Sequence, residues 1–167
     1  AGRELESVNT ASWEAFFKRA CAVHAARILD PGWKPVNTAE AFFISPLCKG
    51  RQILGEPEFE RAAVKAGEYY AQRHRNMVEP YWGGTLDANC EDKEGAWAGF
   101  QGFLALYELT REPKYLEWAT HAMEVMLSYT VLWDIDLPAG RLRDHGLKTR
   151  GWTIVSAQNQ HLDVFAV

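Results

Sequence analysis

Three kinds of feature are scarce in this sequence. No apolar run approaches the roughly 18 residues that a membrane span needs, so a membrane is not an expected partner. Basic residues number 18 against 22 acidic ones, a net charge of −4, and no basic stripe stands out, which argues against a nucleic-acid partner. The three cysteines cannot all pair and show no CxxC spacing, which excludes a disulfide scaffold and indicates buried thiols.

Length and periodicity define the expected fold class. The 167 residues suit one domain, and their 47% apolar fraction is enough for a sizeable core. A helical period runs through most of the chain, and no segment shows sustained alternation of apolar and polar residues. The sequence therefore predicts a single all-α domain over residues 1–167. The predicted helices cover 11–29, 38–54, 57–74, 92–110, 113–132 and 156–167.

The chain also repeats itself at an offset of 56 residues. Glu56-Pro57 matches Glu112-Pro113, and Ala63 matches Ala119 at the same spacing. Proline suits the first position of a helix because its fixed φ is already helical. Each repeat is therefore predicted to be a helix, a tight turn at Glu-Pro and an antiparallel helix. Such hairpins bury their apolar faces only by stacking on neighbours.

The connections between the predicted helices differ in length. Those at 55–57 and 111–113 are minimal, whereas those at 30–37, 75–91 and 133–155 are long. Alternate connections of an antiparallel array lie at the same end, so we expect the three long ones to share one end, here called the rim. Three glycines on the helix after the second long connection predict close approach between inner helices. They are Gly95, Gly99 and Gly102.

Two segments carry a resemblance to a known superfamily. Residues 84–128, which begin GTLDANCEDKEGAW, and the segment SAQNQHLDVF at 156–165 resemble a hairpin of the six-hairpin glycosidases. In that superfamily twelve helices form an (α/α)6 barrel, and sugars bind at the rim of long loops. The resemblance implies a carbohydrate-active enzyme with a carbohydrate substrate. Six helices make half of such a barrel, which implies completion by the remainder of the same gene product or by a homo-oligomer.

Three carboxyl groups stand at the start of the helix predicted at 92–110, and they are the candidate catalytic residues. They are Asp87, Asp92 and Glu94. Glycoside hydrolysis needs one protonated carboxyl and a second carboxylate, and neighbouring carboxylates raise one another's pKa. The resemblance maps the acid onto Asp87 and Asp92. The alternative is that Asp92 and Glu94 cap the helix, whose N-terminus favours anions.

Two further clusters supply candidate substrate-binding residues. Arginines on the third long connection suit the carboxylate of a uronic sugar, although they also suit pairing with Asp134, Asp136 and Asp144 in a solvated loop. Amides and a histidine on the helix predicted at 156–167 share helix faces and suit a hydroxyl-rich ligand. Tryptophans in the long connections suit stacking on a sugar, whereas Trp13, Trp97 and Trp118 are expected in helix packing. The predicted substrate-binding residues are Trp82, Arg143, His145, Arg150, Trp152, Gln158, Asn159 and His161.

The sequence therefore predicts a glycoside hydrolase that uses carboxylate general acid/base catalysis. A metal site at His145, His161 and Asp163 lacks any HExxH-like spacing, so neither a metal nor another cofactor is expected. A polysaccharide lyase or a sugar epimerase on the same architecture remains open. So does a non-catalytic helical-repeat interaction module, since stacked repeats bind proteins.

Overall fold

The computed structural model describes residues 10–35, 38–75, 92–156 and 162–163. The α-helices in this part of the chain are α1 (Ala11–Leu29), α2 (Ile44–Leu54), α3 (Pro57–Arg75), α4 (Lys93–Thr110), α5 (Pro113–Leu127) and the single-turn α6 (Arg141–Asp144). A 3₁₀ helix (Ala39–Phe43) precedes α2, and β1 (Thr153–Ile154) pairs with β2 (Leu162–Asp163). The predicted all-α class is confirmed. Over the described residues, no helix combines the length and apolar character needed to cross a bilayer.

The backbone follows the 56-residue repeat. Helices α2 and α3 form one hairpin, and α4 and α5 form the other. In the first turn the N–H of Phe59 donates to the carbonyl of Glu56 at 3.2 Å, and in the second Tyr115 donates to Glu112 at 3.1 Å. Both second helices begin at the proline of the Glu-Pro pair. The predicted helix–turn–helix unit is therefore present twice.

Side-chain contacts give the directions of the helices. The ring of Phe42, in the 3₁₀ helix just before α2, meets Trp97 of α4 edge to face with centroids 5.7 Å apart, and Ile44 at the start of α2 lies against Gly102 further along α4. Helices α2 and α4 are therefore parallel. The rings of His24 and Phe43 stack with centroids 3.5 Å apart, and the Cys21 thiol lies 3.7 Å from a carbonyl of α2, so α1 runs antiparallel to α2.

With these directions, each long helix of the described chain has one of its two ends on the same side of the molecule. The C-terminal ends of α1, α3 and α5 lie with the N-terminal ends of α2 and α4, whereas both Glu-Pro turns lie at the other end. The described ends of the long connections therefore meet at one rim, as predicted from the connection lengths. The part of the second connection over residues 76–91 lies outside the described residues.

One apolar core runs through the five long helices. Its largest fully buried side chains include Tyr70, Tyr115, Phe59 and Phe103. Cys21 and Cys48 are buried thiols, as predicted, and burial raises the pKa of Cys48 to about 12. A Cβ atom on Gly102 would lie 3.0 Å from the Cβ of Ile44, which confirms the predicted close approach at that glycine.

Helix α5 is shorter than predicted. It ends at Leu127, not at residue 132. The chain beyond it pairs with the β1 region, where the N–H of Val131 donates to the carbonyl of Trp152 at 2.7 Å and the N–H of Ile154 donates to that of Tyr129 at 3.0 Å. β-branched residues at 130–131 and 153–155 favour extended backbone, and the tertiary pairing satisfies their backbone groups.

The helix predicted at 156–167 is wrong wherever this segment is described. Ser156 forms an antiparallel bridge with Asp92, and β2 pairs with β1 in the register Thr153↔Asp163 and Ile154↔Leu162. The run Thr-Ile-Val at 153–155 is a strand signal that the helical interpretation overlooked. Asp163, which the prediction placed on this helix, lies in a strand.

Candidate functional site

The start of α4 is built around a buried carboxylate. Asp92 has an extended backbone, with φ −135° and ψ 158°, and its Oδ1 accepts the N–H of Gly95 at 2.7 Å. This is a helix N-cap, in which a side-chain oxygen satisfies a backbone donor that the helix itself leaves unpaired. Asp92 is only 4% exposed. The capping role considered for Asp92 is therefore confirmed.

Lys93 joins this helix start to the third long connection. The lysine is fully buried, and its ammonium donates to Oγ1 of Thr153 at 2.8 Å. Its backbone N–H donates to the carbonyl of Val155 at 2.9 Å, next to the bridge between Asp92 and Ser156. We call residues 92–95 and 153–156 the α4–β1 junction. A charged side chain is seldom fully buried without polar partners. The hydrogen bond to Thr153 therefore compensates the burial of Lys93 and links the two segments of the junction.

Three junction residues were not predicted from the sequence: Lys93, Thr153 and Ser156. One signal pointed to Lys93, since it lies three residues before Ala96 on the buried stripe of α4. Nothing comparable marks Thr153 or Ser156, because the partners of both come from a distant part of the chain.

Two of the three predicted catalytic carboxyl groups belong to the junction. Glu94 is half-buried in the first turn of α4, and its Oε2 atom is buried. Together with Asp92 it places two carboxylates at the positive end of the helix dipole. Asp87 lies outside the described residues, so its placement stays a prediction.

The predicted sugar-binding arginines lie on the surface of the third long connection. Arg143, His145 and Arg150 are all exposed. Oδ1 of Asp134 accepts the backbone N–H of Arg150 at 3.3 Å and that of Thr149 at 3.1 Å. The ammonium of Lys148 lies 3.7 Å from Oδ2 of Asp134, and the guanidinium of Arg150 lies 3.9 Å from it. The alternative of pairing within the loop is therefore confirmed for Arg150.

Asp134 is the anchor of this connection. Donation by the backbone N–H of Arg150 lowers the pKa of Asp134, helped by Thr149 and the nearby Lys148. The hydroxyl of Thr149, which is buried, accepts the N–H of Ile135 at 2.7 Å and donates to the carbonyl of Trp133 at 3.1 Å. These hydrogen bonds fix the backbone of Thr149 and Arg150 against residues 133–135. No sequence signal identified Thr149.

The tryptophans divide differently from the prediction. Trp97 and Trp118 pack between helices, as expected. Trp13 is 70% exposed, so its assignment to helix packing is wrong; it lies in the first turn of α1, on a face that no described helix covers. Trp152 is half-buried, and its backbone is held by Thr149 and Val131. The remaining predicted binding residues, Trp82, Gln158, Asn159 and His161, lie outside the described residues.

Comparison with known proteins gives no relative. No family model, curated protein or solved structure matches this chain. Among the described residues, no three His, Cys, Asp or Glu side chains are grouped closely enough to hold a metal ion. The function must therefore be inferred from the α4–β1 junction and its surroundings.

Proposed function

We propose that this chain supplies helical hairpins to an (α/α)6 barrel of the six-hairpin glycosidase type and takes part in hydrolysis of a glycosidic bond. The α4–β1 junction is the observation that carries the proposal. It joins the helix start that comes after the second long connection to the end of the third, through Lys93, Thr153 and Val155. The carboxyl cluster and the cationic loop thus belong to connections that meet at one rim.

The roles of the carboxyl groups depend on their surroundings. The N–H of Gly95 already occupies Oδ1 of Asp92, and the residue is only 4% exposed, which suits a positioning residue better than a proton donor. We therefore assign the general acid to Asp87 and give Glu94 the role of the second carboxylate. In this assignment Asp87 gives its proton to the leaving oxygen, and Glu94 activates a water molecule or attacks the anomeric carbon.

The exposed cations supply the substrate preference. The contacts of Arg150 and Lys148 with Asp134 are long and solvated, so they contribute little energy and leave the cations available to a ligand. A guanidinium binds a carboxylate through two parallel hydrogen bonds. We therefore propose a uronic or other acidic sugar as substrate, positioned by Arg143, His145 and Arg150 and stacked on Trp152.

Two isosteric variants test the catalytic assignment. Asparagine is as good an N-cap as aspartate, so Asp92→Asn should keep the stability of α4. We expect Asp87→Asn to reduce kcat on uronic-acid oligosaccharides by at least about a hundredfold, as for loss of a general acid. Asp92→Asn should change kcat far less. Full turnover in both variants would eliminate the assignment, and loss of turnover only in Asp92→Asn would move the acid to Asp92.

The products of the same reaction separate the related enzyme activities. A hydrolase releases a shorter saccharide with a new reducing end. A lyase would release an unsaturated uronate that absorbs in the ultraviolet, and an epimerase would release no shorter saccharide at all.

A helical-repeat interaction module is the second candidate, and the two equivalent hairpins favour it. Titration with mono- and oligosaccharides while tryptophan fluorescence is recorded distinguishes the two functions. A carbohydrate-active enzyme should respond to at least one acidic saccharide, whereas a protein-binding module should respond to no acidic saccharide.

A further inference from the structure

A cleft lies between the connection after α1, the C-terminal half of α3 and the helix α5. Its volume is about 520 Å³, within the range of small-molecule sites. Its walls share no residue with the α4–β1 junction. We call it the Trp33 cleft; its main lining side chains are Trp33, Lys65, Glu68, Tyr69, Gln72 and Trp118.

The aromatic wall of this cleft is held in place from behind. The indole N–H of Trp33 donates to Glu40, a buried carboxylate that also pairs with Arg27. The edges of Tyr69 and Tyr70 meet the Trp33 ring with centroids 5.0 and 6.3 Å away. Trp33 therefore presents a fixed apolar surface, so ligand binding costs little additional side-chain entropy there.

The charged groups of the cleft are balanced. The ammonium of Lys65 lies 5.6 Å from the centre of the Trp33 ring and donates to the backbone carbonyl of Asp30 at 2.9 Å. Glu68 pairs with Lys114 at 2.6 Å. The carboxylate of Glu112 also lies 3.2 Å from Lys114, so the two ammonium groups of Lys65 and Lys114 stand against two carboxylates. These opposite charges leave no strong field of either sign, so the cleft does not favour an ionic ligand.

The polar groups that line the cleft suit the hydroxyl groups of a ligand. Lys65 offers donors, Glu68 offers acceptors, and the exposed carboxamide of Gln72 offers both. A pyranose ring presents a C–H face to an aromatic wall and hydroxyl groups around its edge. From this combination we infer that the Trp33 cleft binds a neutral saccharide, at a non-catalytic site separate from the proposed acidic-sugar site.

Nuclear magnetic resonance on the full ¹⁵N-labelled chain tests this inference. The probes are cellobiose and maltose as neutral disaccharides and galacturonate as an acidic sugar. A neutral disaccharide should shift the indole N–H of Trp33 and the side-chain amide of Gln72, and galacturonate should bind more weakly there. Absence of shifts with both disaccharides up to about 50 mM, or equal binding of galacturonate, would overturn the inference.

A pair of glutamine variants separates binding in the cleft from a general effect. Gln72→Ala should weaken the disaccharide about fivefold, the value of one hydrogen bond, whereas Gln101→Ala, an exposed glutamine on α4, should have no effect. Equal weakening of disaccharide binding by the two variants would also overturn the inference that the Trp33 cleft binds a neutral saccharide. Asp87→Asn should bind the disaccharide unchanged, so the cleft stands or falls independently of the proposed hydrolysis.

Discussion

Gly55 and Arg111 occupy equivalent positions in the two hairpin turns and share a left-handed backbone, with φ of 76° and 62°. The N–H of Gly55 donates to the carbonyl of Arg51 at 3.1 Å, and that of Arg111 donates to Tyr107 at 2.8 Å. Glycine adopts this conformation without steric cost, whereas other residues are strained in it. One repeat therefore ends its first helix with glycine, and the other accepts the cost at an arginine.

Replacing the glycine tests the cost of this conformation. Nothing lies within 4 Å of a Cβ atom placed on Gly55, so Gly55→Ala changes the backbone preference without a clash. We expect the free energy of unfolding to fall by about 1 kcal/mol in urea denaturation. The control is Arg111→Ala, which should lower the free energy of unfolding less, because position 111 is already strained by a residue other than glycine. Equal losses would contradict this explanation.

The contact between α2 and α4 is tight enough to reject one methyl group. A Cβ atom on Gly102 would lie 3.0 Å from Cβ and 3.1 Å from Cδ1 of Ile44. Replacing a helical glycine with alanine gains about 1 kcal/mol of helix propensity. Overpacking costs about 1–3 kcal/mol, and the Cβ of Ile44 can move away only if its helix moves. We expect Gly102→Ala to lower the free energy of unfolding by about 1 kcal/mol.

A double-mutant cycle with Ile44→Ala identifies the source of that loss. The two changes should be partly non-additive, because Ile44→Ala removes the Cδ1 and Cγ2 contacts at 3.1 and 3.3 Å and keeps only the Cβ contact at 3.0 Å. Additive losses would place the cost of Gly102→Ala elsewhere.

The hydrogen bond between Lys93 and Thr153 should hold the α4–β1 junction together. We expect Lys93→Met to lower the free energy of unfolding by about 1–3 kcal/mol, because it leaves a buried hydroxyl without its 2.8 Å partner. Faster amide exchange at position 93 should accompany the loss, since this N–H donates across the junction to the carbonyl of Val155. In the double variant with Thr153→Val the losses should be less than additive, and an additive result would show that the two residues act separately.

The order of the third long connection should depend on pH through Asp134. Because the folded structure lowers the pKa of Asp134, the contribution of its carboxylate is complete above the unfolded value of about 4. It is lost as the pH falls through the lowered folded value. Amide chemical shifts of Thr149 and Arg150, recorded from neutral pH into this acidic range, should report the transition.

Two neighbouring aspartates separate this effect from general acid unfolding. Asp134→Asn should abolish the titration of the Thr149 and Arg150 amides, whereas Asp136→Asn, an exposed matched control, should preserve it. Loss of the titration in both variants would show that Asp134 is not the anchor.

The α4 region shows how far local sequence signals reach. The acidic residue before Lys93 predicted a helix start, and Asp92 is the N-cap because capping depends on groups three residues apart. The burial of Lys93 depends on Thr153, sixty positions along the chain, and no local pattern encodes that contact. The cap of α4 could therefore be predicted from nearby residues, whereas the partner of Lys93 could not, and the catalytic use of the carboxylates stays a prediction.

By itself the sequence determined the helical class, the bounds of α1 and the two Glu-Pro turns, because periodicity and proline geometry act over a few residues. Only the tertiary structure decided where α5 stops and which conformation the chain adopts after Trp152. Extended backbone at 130–131 and in β1 is stable when these segments and their neighbours supply each other's hydrogen-bond partners. That mutual satisfaction depends on distant segments meeting, and it overrode the helical pattern predicted at residues 130–131.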